Sequence, residues 1–450
     1  MKVERQIIIA FNSIKGFRMK LLVISHNVFS RSKNMGKTLR SYFNGWNEND
    51  IAQLYVHSEI PTDTICKNYY RITDKEMIKS IFTRKSGTIF TEHDIKLDTE
   101  ESRVDTGNTA KMYNAGQKRT PFIYFARNLW WKMGKWKTKK LLSWVDEFNP
   151  DVIFLASGDY SFIYDIALTL AKYKNIPLAV SCMDDYYFFN KNEDKLGGKA
   201  VHRSFMKHVR KTMDYASCIY PICEKMGRDY AKLFNKPYHT LPTPSSISEP
   251  LKEEKTNAIS YIGNLGYKRN EQLITLGKAL KVINCENKPE YIDVYSAESR
   301  PEILKDMTKE NGINFHGSIS SADVLSVMGK SMAVIHTESF DKITRKSVAY
   351  SVSTKIADSL ASGTPILAYG PSEIASIEYL KENNSAFCIT ENDDLKEKLK
   401  EFISNSEHHK EITKNALALA SKNHSSETNC NMIRETLKNV VKRNQRSTNA

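Results

Sequence analysis

Short apolar runs alternate along this chain with segments whose apolar residues recur at helical spacing. The first run is 20–25 (KLLVIS). Others fall near 51–56 and at 152–156 (VIFLA), 177–182 (PLAVSC) and 217–220, with a helical pattern at 162–174. Such alternation predicts βαβ units and parallel sheets. The stretch from about 60 to 120 is polar and irregular, and no element is assigned there. Residues 241–257, LPTPSSISEPLKEEKTN, are rich in proline and serine and predict an interdomain linker. The pattern then restarts. Strands are expected at 258–263, 291–296, 313–317, 332–337 and 365–370, with helices at 270–283, 301–312, 322–331 and 354–361. A terminal helix is expected at about 427–443. The chain reads as two α/β, Rossmann-like units.

A length of 450 residues fits two large domains or about three. A hydrophobic content of 40% is enough for real cores, and no apolar run approaches the roughly 18 residues of a membrane span. IIIAF near the start is too short for a signal-peptide core. The strand opening at Met19 leaves residues 1–18 as a dispensable extension. Seven cysteines without a CxxC pair predict reduced thiols in a cytoplasmic protein and no zinc site.

Charge adds a partner. The net charge of +14 favours anions. Between Ala115 and Val145 there is no Asp or Glu, yet Lys118, Arg119, Arg127, Lys132, Lys135, Lys137, Lys139 and Lys140 all fall there, interleaved with Trp130, Trp131, Trp136 and Trp144. A buried helix with a basic face, a nucleic-acid patch and an interfacial helix are the three readings. Tryptophan beside lysine favours the surface of an anionic bilayer. No nucleic-acid module is recognisable, so no nucleic-acid partner is expected. Residues 118–144 are expected to touch an anionic membrane.

NMGKT at 34–38 looks like the end of a P-loop. The loop needs a further glycine where this chain has Arg31, and arginine adopts the required backbone far less readily. The P-loop is excluded. A strand, a polar loop and a helix opening near Gly36 remain.

Two stretches of the second unit carry the chemistry. In SYIGNLGYKRNEQLI, a strand ends at Gly263 and a helix is expected from Asn270, a good N-cap residue. Lys268 and Arg269 then lie at the positive end of the helix dipole, where cations are unfavourable by a few tenths to about 1 kcal/mol. In YSVSTKIADSLASGTPILAYGP, Ser353 or Ser351 caps a second helix, which puts Lys355 in its first turn and Asp358 one turn on. Each feature alone is most often a solvated cation or a local Lys–Asp pair. A diphosphate gripped by both loops explains them together, and leaves Asp358 to accept bonds from ribose hydroxyls.

These stretches, with INFHGSISSADVLSVMGKSMAVIHTESF between them, resemble the group 1 glycosyltransferases, which use nucleotide sugars with retention. The resemblance is best from Ala258 to about Leu399. It implies the GT-B fold, two Rossmann-like domains facing each other across a cleft. Residues 1–245 would form the acceptor-side domain, with a returning helix at about 425–450. Residues 246–257 would be the linker, and 258–424 the nucleotide-sugar domain. The family places Gly-Arg-Leu-x-x-x-Lys in the first loop. Gly263, Leu265 and Arg269 match in position or charge, while Asn264 replaces the arginine. Of the family's two glutamates, the second falls at Asp358 and the first at Tyr350, with Glu338 an available but displaced carboxylate. The implied catalytic set is Arg269, Lys268 and Lys355, with Gly263, Asn264, Glu338, Ser353, Thr354, Asp358 and Ser372 around the donor. No metal or other cofactor is implied.

In the first unit, Gly36 would let sugar or phosphate approach, and Lys37 would touch a phosphate unless it is an ordinary exposed helix lysine. Asp159 in SGDYSF, and Asp184 and Asp185 in SCMDDYYFF, stand past strand ends, where they could bind acceptor hydroxyls or cap the following helices. His26, His202, His316 and His336 are read as structural, with His26 the foremost exception. The expected protein is cytoplasmic, with a peripheral site on the inner face of the plasma membrane. It moves a sugar from a nucleotide sugar to a glycan or lipid-linked acceptor in cell-surface polysaccharide synthesis. A nucleotide-sugar epimerase and a non-catalytic partner subunit on the same fold are the alternatives.

Overall fold

The computed structural model describes residues 18–31, 34–95, 120–286 and 288–448. By contacts the chain divides into two compact units, one of residues 1–221, 227–240 and 430–450, the other of residues 222–226 and 241–429.

The first unit is a seven-stranded sheet. Its strands are β1 (Leu21–Ser25), β2 (Ile51–Tyr55), β3 (Asn68–Arg71), β4 (Thr88–Phe90), β5 (Val152–Ala156), β6 (Leu178–Cys182) and β7 (Cys218–Pro221), in the order β4-β3-β2-β1-β5-β6-β7. Only β4 runs antiparallel, on β3. LLVIS in β1 is buried along its whole length, as a central parallel strand covered on both faces must be. The helices are α1 (Asn34–Ser41), α2 (Asp74–Thr83), α3 (Pro121–Met133), α4 (Lys139–Phe148), α5 (Ser161–Lys174), α6 (Gly198–Tyr215) and α7 (Glu224–Phe234). Their ends are locally encoded. Thr73 and Glu76 form a capping box on α2, and Thr120 caps α3 with Pro121 in its first turn. The polar stretch after residue 60 therefore holds β3, α2 and β4, which the pattern did not reveal. The part from 96 to 119 lies outside the described residues.

The second unit is a wholly parallel six-stranded sheet of β8 (Ile259–Ile262), β9 (Ile292–Tyr295), β10 (Ile313–Gly317), β11 (Ala333–Thr337), β12 (Ile366–Tyr369) and β13 (Phe387–Ile389), ordered β10-β9-β8-β11-β12-β13. Its helices are α8 (Arg269–Val282), α9 (Pro301–Leu304), α10 (Ser321–Lys330), α11 (Lys342–Val348), α12 (Thr354–Ala361), α13 (Ala375–Glu382), α14 (Leu395–Ser404) and α15 (Ser406–Asn423). The terminal helix α16 (Ser426–Thr448) begins in this unit, and its residues from 430 belong to the first. Apolar residues of α8, α14 and α15 cover one sheet face, and those of α12, α13 and α15 the other.

Two expectations are corrected. The helix over 301–312 stops at Leu304, which lets Met307 turn into the core, and a 3-10 turn at Lys309–Asn311 leads to Gly312 at φ +77°. The linker is bound to the second unit: Leu251 donates to the Ser362 carbonyl, Lys255 Nζ to Thr364 Oγ1 (2.7 Å) and Thr256 N to the Lys330 carbonyl.

Candidate active site

In the second sheet β8 lies between β9 and β11, so the loops leaving β8 and β11 diverge. An open α/β sheet binds ligands at this switch point. The loop after β8 is rigid. Tyr261 Oη donates to the Asn264 carbonyl (2.6 Å), and Asn264 Oδ1 accepts from Gly266 N (2.5 Å). A Cβ on Gly263 would sit 2.7 Å from the Tyr261 hydroxyl. Tyr267 and Lys268 both take left-handed backbone, φ +58° and +57°, at a cost of about 1–2 kcal/mol per non-glycine residue. This turn starts α8 at Arg269, one residue before the expected Asn270. Lys268 occupies the cap position and provides no side-chain acceptor.

The two cations expected to stand bare at this helix start are paired. Arg269 Nη2 reaches Glu338 Oε1 at 2.7 Å and Oε2 at 3.0 Å, and Nε reaches Oε2 and the Thr337 carbonyl, each at 3.2 Å. Glu338 follows β11 and is fully buried. Burial pushes its carboxyl pKa up, against the pull of the guanidinium. Lys268 Nζ lies 2.8 Å from Asp341, which also caps α11 through the amides of Ile343 and Thr344. Lys268, and after it those amides, hold Asp341 below the usual carboxylate range. Carboxylates thus already offset the dipole penalty that was expected to call for a ligand.

Lys355 differs. Ser353 caps α12 by accepting from its backbone N–H (3.3 Å), and Thr354 is exposed at the first helical position. Among the described residues no carboxylate stands within ion-pair distance of the Lys355 ammonium. Its surface is largely exposed, yet surrounding protein atoms strip enough hydration to lower its pKa, and the charge of Arg269 lowers it further. Lys355 is thus a positive charge without a carboxylate partner among the described residues, and it feels the charge of Arg269.

Two further donor-side residues have partners within the second unit. Asp358 Oδ1 accepts from Ser245 Oγ (2.8 Å), Ser246 N (2.7 Å) and Ser246 Oγ (3.0 Å), which anchors the turn at 245–246. Ser372 gives both its N–H and its hydroxyl to Glu391, at 2.9 and 2.8 Å. Sequence reasoning passed over Asp341, the partner that fixes Lys268.

His336 bonds Ser376 Oγ (3.0 Å) and stands 3.8 Å from Glu338. Burial, then the charge of Arg269, lowers its pKa from 6.5 to about 3. Below pH 6.5 the unfolded chain takes up a proton that folded His336 refuses, so stability falls as the pH drops through this window, by at most about 1.4 kcal/mol per unit. The urea midpoint should decline between pH 7 and 5.5, and His336→Gln should flatten the decline. His239, His409 and His424, also shifted down by burial, leave a residual slope. A variant whose profile runs parallel to the wild type would remove His336 from this account.

In the first sheet the switch point lies between β1 and β5. His26, just past β1, stacks on Tyr160 (centroids 6.4 Å apart) and meets His57 edge-on. Asp159 accepts from Tyr124 Oη at 2.5 Å, with Lys191 Nζ 4.0 Å away. Asp184 accepts from Tyr186 Oη. Asp185 holds the turn that follows it, accepting from the amides of Tyr187, Phe188 and Phe189 and from the Tyr230 hydroxyl; no helix starts there. At Gly36 a Cβ would lie 2.3 Å from the Val28 carbonyl oxygen, so the chain's own backbone approaches closely there. Lys37 is exposed on α1.

The tryptophan-rich basic segment divides. Lys118 and Arg119 lie outside the described residues. Trp131 is buried, stacked on Phe162 at 4.0 Å and donating to Asp74 (2.7 Å), which also pairs with Arg127. Trp144 is buried against Tyr70. Trp130 stays at the surface and Trp136 is half-buried. Among the described residues no helix is long and apolar enough to cross a membrane, and no cluster of His, Cys, Asp or Glu is placed to hold a metal.

Residues 287–435 match a family model described as glycosyl transferase-like. No curated protein matches the chain in sequence. Among solved structures, HepE from Anabaena in complex with UDP is similar at a TM-score of 0.57 and 13% identity, over 94% of this chain and 100% of that one. Sucrose-phosphate synthase from Thermosynechococcus elongatus gives 0.56 and 9%, over 94% and 99%. A glycosyltransferase from Rickettsia africae gives 0.54 and 12%, over 95% and 100%.

Proposed function

We propose that this chain, a group 1 glycosyltransferase of the GT-B fold, moves a hexose-type sugar with retention from a nucleoside-diphosphate donor to a glycan or lipid-linked acceptor in cell-surface polysaccharide synthesis. The observation that carries the donor site is Lys355 in the first turn of α12, with no carboxylate within ion-pair distance among the described residues and within the electrostatic reach of Arg269. A diphosphate there supplies the missing negative charge. Arg269, held rigid by buried Glu338, and Lys355 stabilise the charge that develops on the leaving diphosphate, the electrostatic contribution that usually dominates. Lys268, the exposed member of its pair, joins them by exchanging Asp341 for phosphate. Gly263 and Asn264 shape the loop beneath. The similar HepE has been crystallised with UDP-glucose, which supports the donor class. No metal is part of this reading. Acceptor hydroxyls go to the first unit, where Asp159 and Asp184 stand past β5 and β6.

Titration with UDP, GDP, ADP and TDP tests the donor site. One of them should raise the unfolding midpoint saturably, by about 2.7 kcal/mol of stability at a hundred times its dissociation constant. No shift with any of the four would sink the reading.

The enzyme works from the cytoplasmic side, held on an anionic membrane through residues 118–144, where Lys132, Lys135, Lys137, Lys139 and Lys140 are exposed. Each contributes about 1 kcal/mol near such a surface. Sedimentation with phosphatidylglycerol vesicles should be strong at low salt and weak at high salt. Protein left in the supernatant at low salt would end this part of the account.

A further inference from the structure

The α3 helix is unusual for a surface helix. Its Phe122 (75% exposed), Phe125 (56%), Leu129, Trp130 and Met133 (50%) form one stripe open to solvent. An exposed apolar surface of this kind marks an interaction site. The stripe runs into a groove between α3, α5 and α6 with a volume of about 450 Å³. Phe125, Leu129, Trp131, Trp136, Phe162 and Val201 supply its apolar wall. Lys132 is at the rim, exposed, and His208 is 2.7 Å from Asp165 at the same groove.

The charge around the groove is mainly positive, with Asp165 in the lining and Lys199 paired to Glu193 (3.6 Å) as the exceptions among the described residues. No acid occurs from 120 to 145, where Lys132, Lys135, Lys137, Lys139 and Lys140 are exposed. On α6 no acid occurs before Asp214, and Lys199, Arg203 and Lys207 are exposed. Asp165 is an acid in the groove lining, hydrogen-bonded to His208 at 2.7 Å. An apolar helix from a partner has no use for the cations, and a nucleic acid, which could stack on the exposed rings, has no use for the apolar groove. A lipid carrying a phosphate uses both.

We propose that this groove takes the hydrocarbon chain of a lipid phosphate drawn from an anionic bilayer, with the phosphate on Lys132 and its neighbours. The inference rests on the reading of a lipid-linked acceptor and gives that acceptor's tail a place. Burying the chain removes both it and Phe125 and Leu129 from water. The cations hold the headgroup at the level of the membrane surface, which orients the lipid before any sugar is added.

Farnesyl phosphate is the probe for the groove, and phosphatidylglycerol vesicles the probe for the face. Val201→Phe fills the groove without touching the exposed stripe. It should weaken farnesyl phosphate binding at least about tenfold while vesicle binding stays within about twofold. Phe122→Ser with Met133→Ser should do the reverse. Farnesol should bind more weakly than farnesyl phosphate, and that difference should shrink at high salt. Equal farnesyl phosphate binding by Val201→Phe and wild type would overturn the proposal, as would farnesol binding as well as the phosphate. A face that drives concentration-dependent self-association and ignores lipid would assign it to a second copy of the chain and overturn it too. Nucleoside-diphosphate affinity should not change in Val201→Phe, so this test can fail while the donor site stands.

Discussion

Arg269→Ala is expected to lower the stability of the second unit by about 3–5 kcal/mol, before any ligand is considered. The substitution leaves Glu338, fully buried behind β11, as a carboxylate with no counter-charge. His336 offers no substitute, since it is held neutral by its own burial. Glu338→Ala should be comparably costly, because a half-buried guanidinium then loses its bidentate partner. Replacing both together, Arg269→Met with Glu338→Leu, should recover much of the loss, since two apolar groups of similar volume need neither hydration nor each other. Urea midpoints of the two single variants and the double variant measure this directly. A single variant within about 1 kcal/mol of wild type would mean the pair is not structural. The same logic limits what Arg269→Ala can say about ligands. Lost nucleotide binding in that variant would combine a missing contact with a damaged loop.

The strands and the two-unit plan were legible because short apolar runs between helical patterns leave few other folds. The basic helix starts were legible too, since Lys268, Arg269 and Lys355 stand beside recognisable turn and cap residues. Their partners were not. Glu338 is 69 residues from Arg269, Asp341 is 73 from Lys268, and Ser245 is 113 from Asp358. No local pattern announces such pairs; only the sheet order brings them together. Asp185 is the opposite case. Its three amide donors lie within four residues, so the turn it holds was open to a local reading. Trp130 and Trp131 show a further limit. Adjacent helix residues point about 100° apart, so one reaches the core while the other faces solvent, and composition cannot separate them. The left-handed pair Tyr267–Lys268 has no glycine or asparagine to announce it, which is why the helix start was placed one residue late.

Lys355→Ala carries the second large effect and has none of the ambiguity of Arg269→Ala. It strands no buried carboxylate among the described residues and removes a charge that Arg269 repels, so the unfolding midpoint should hold or rise slightly. A charge-assisted bond to phosphate contributes about 1.5–3 kcal/mol, so the dissociation constant should rise roughly ten- to more than a hundredfold. Lys355→Arg should keep much of the affinity. The decisive measurement is titration calorimetry of wild type, Lys355→Ala and Lys355→Arg with the nucleoside diphosphate that stabilises the wild type. The account predicts that large loss in the alanine variant at unchanged stability, with partial rescue by arginine. Equal affinity in wild type and Lys355→Ala would contradict it and place the donor diphosphate elsewhere.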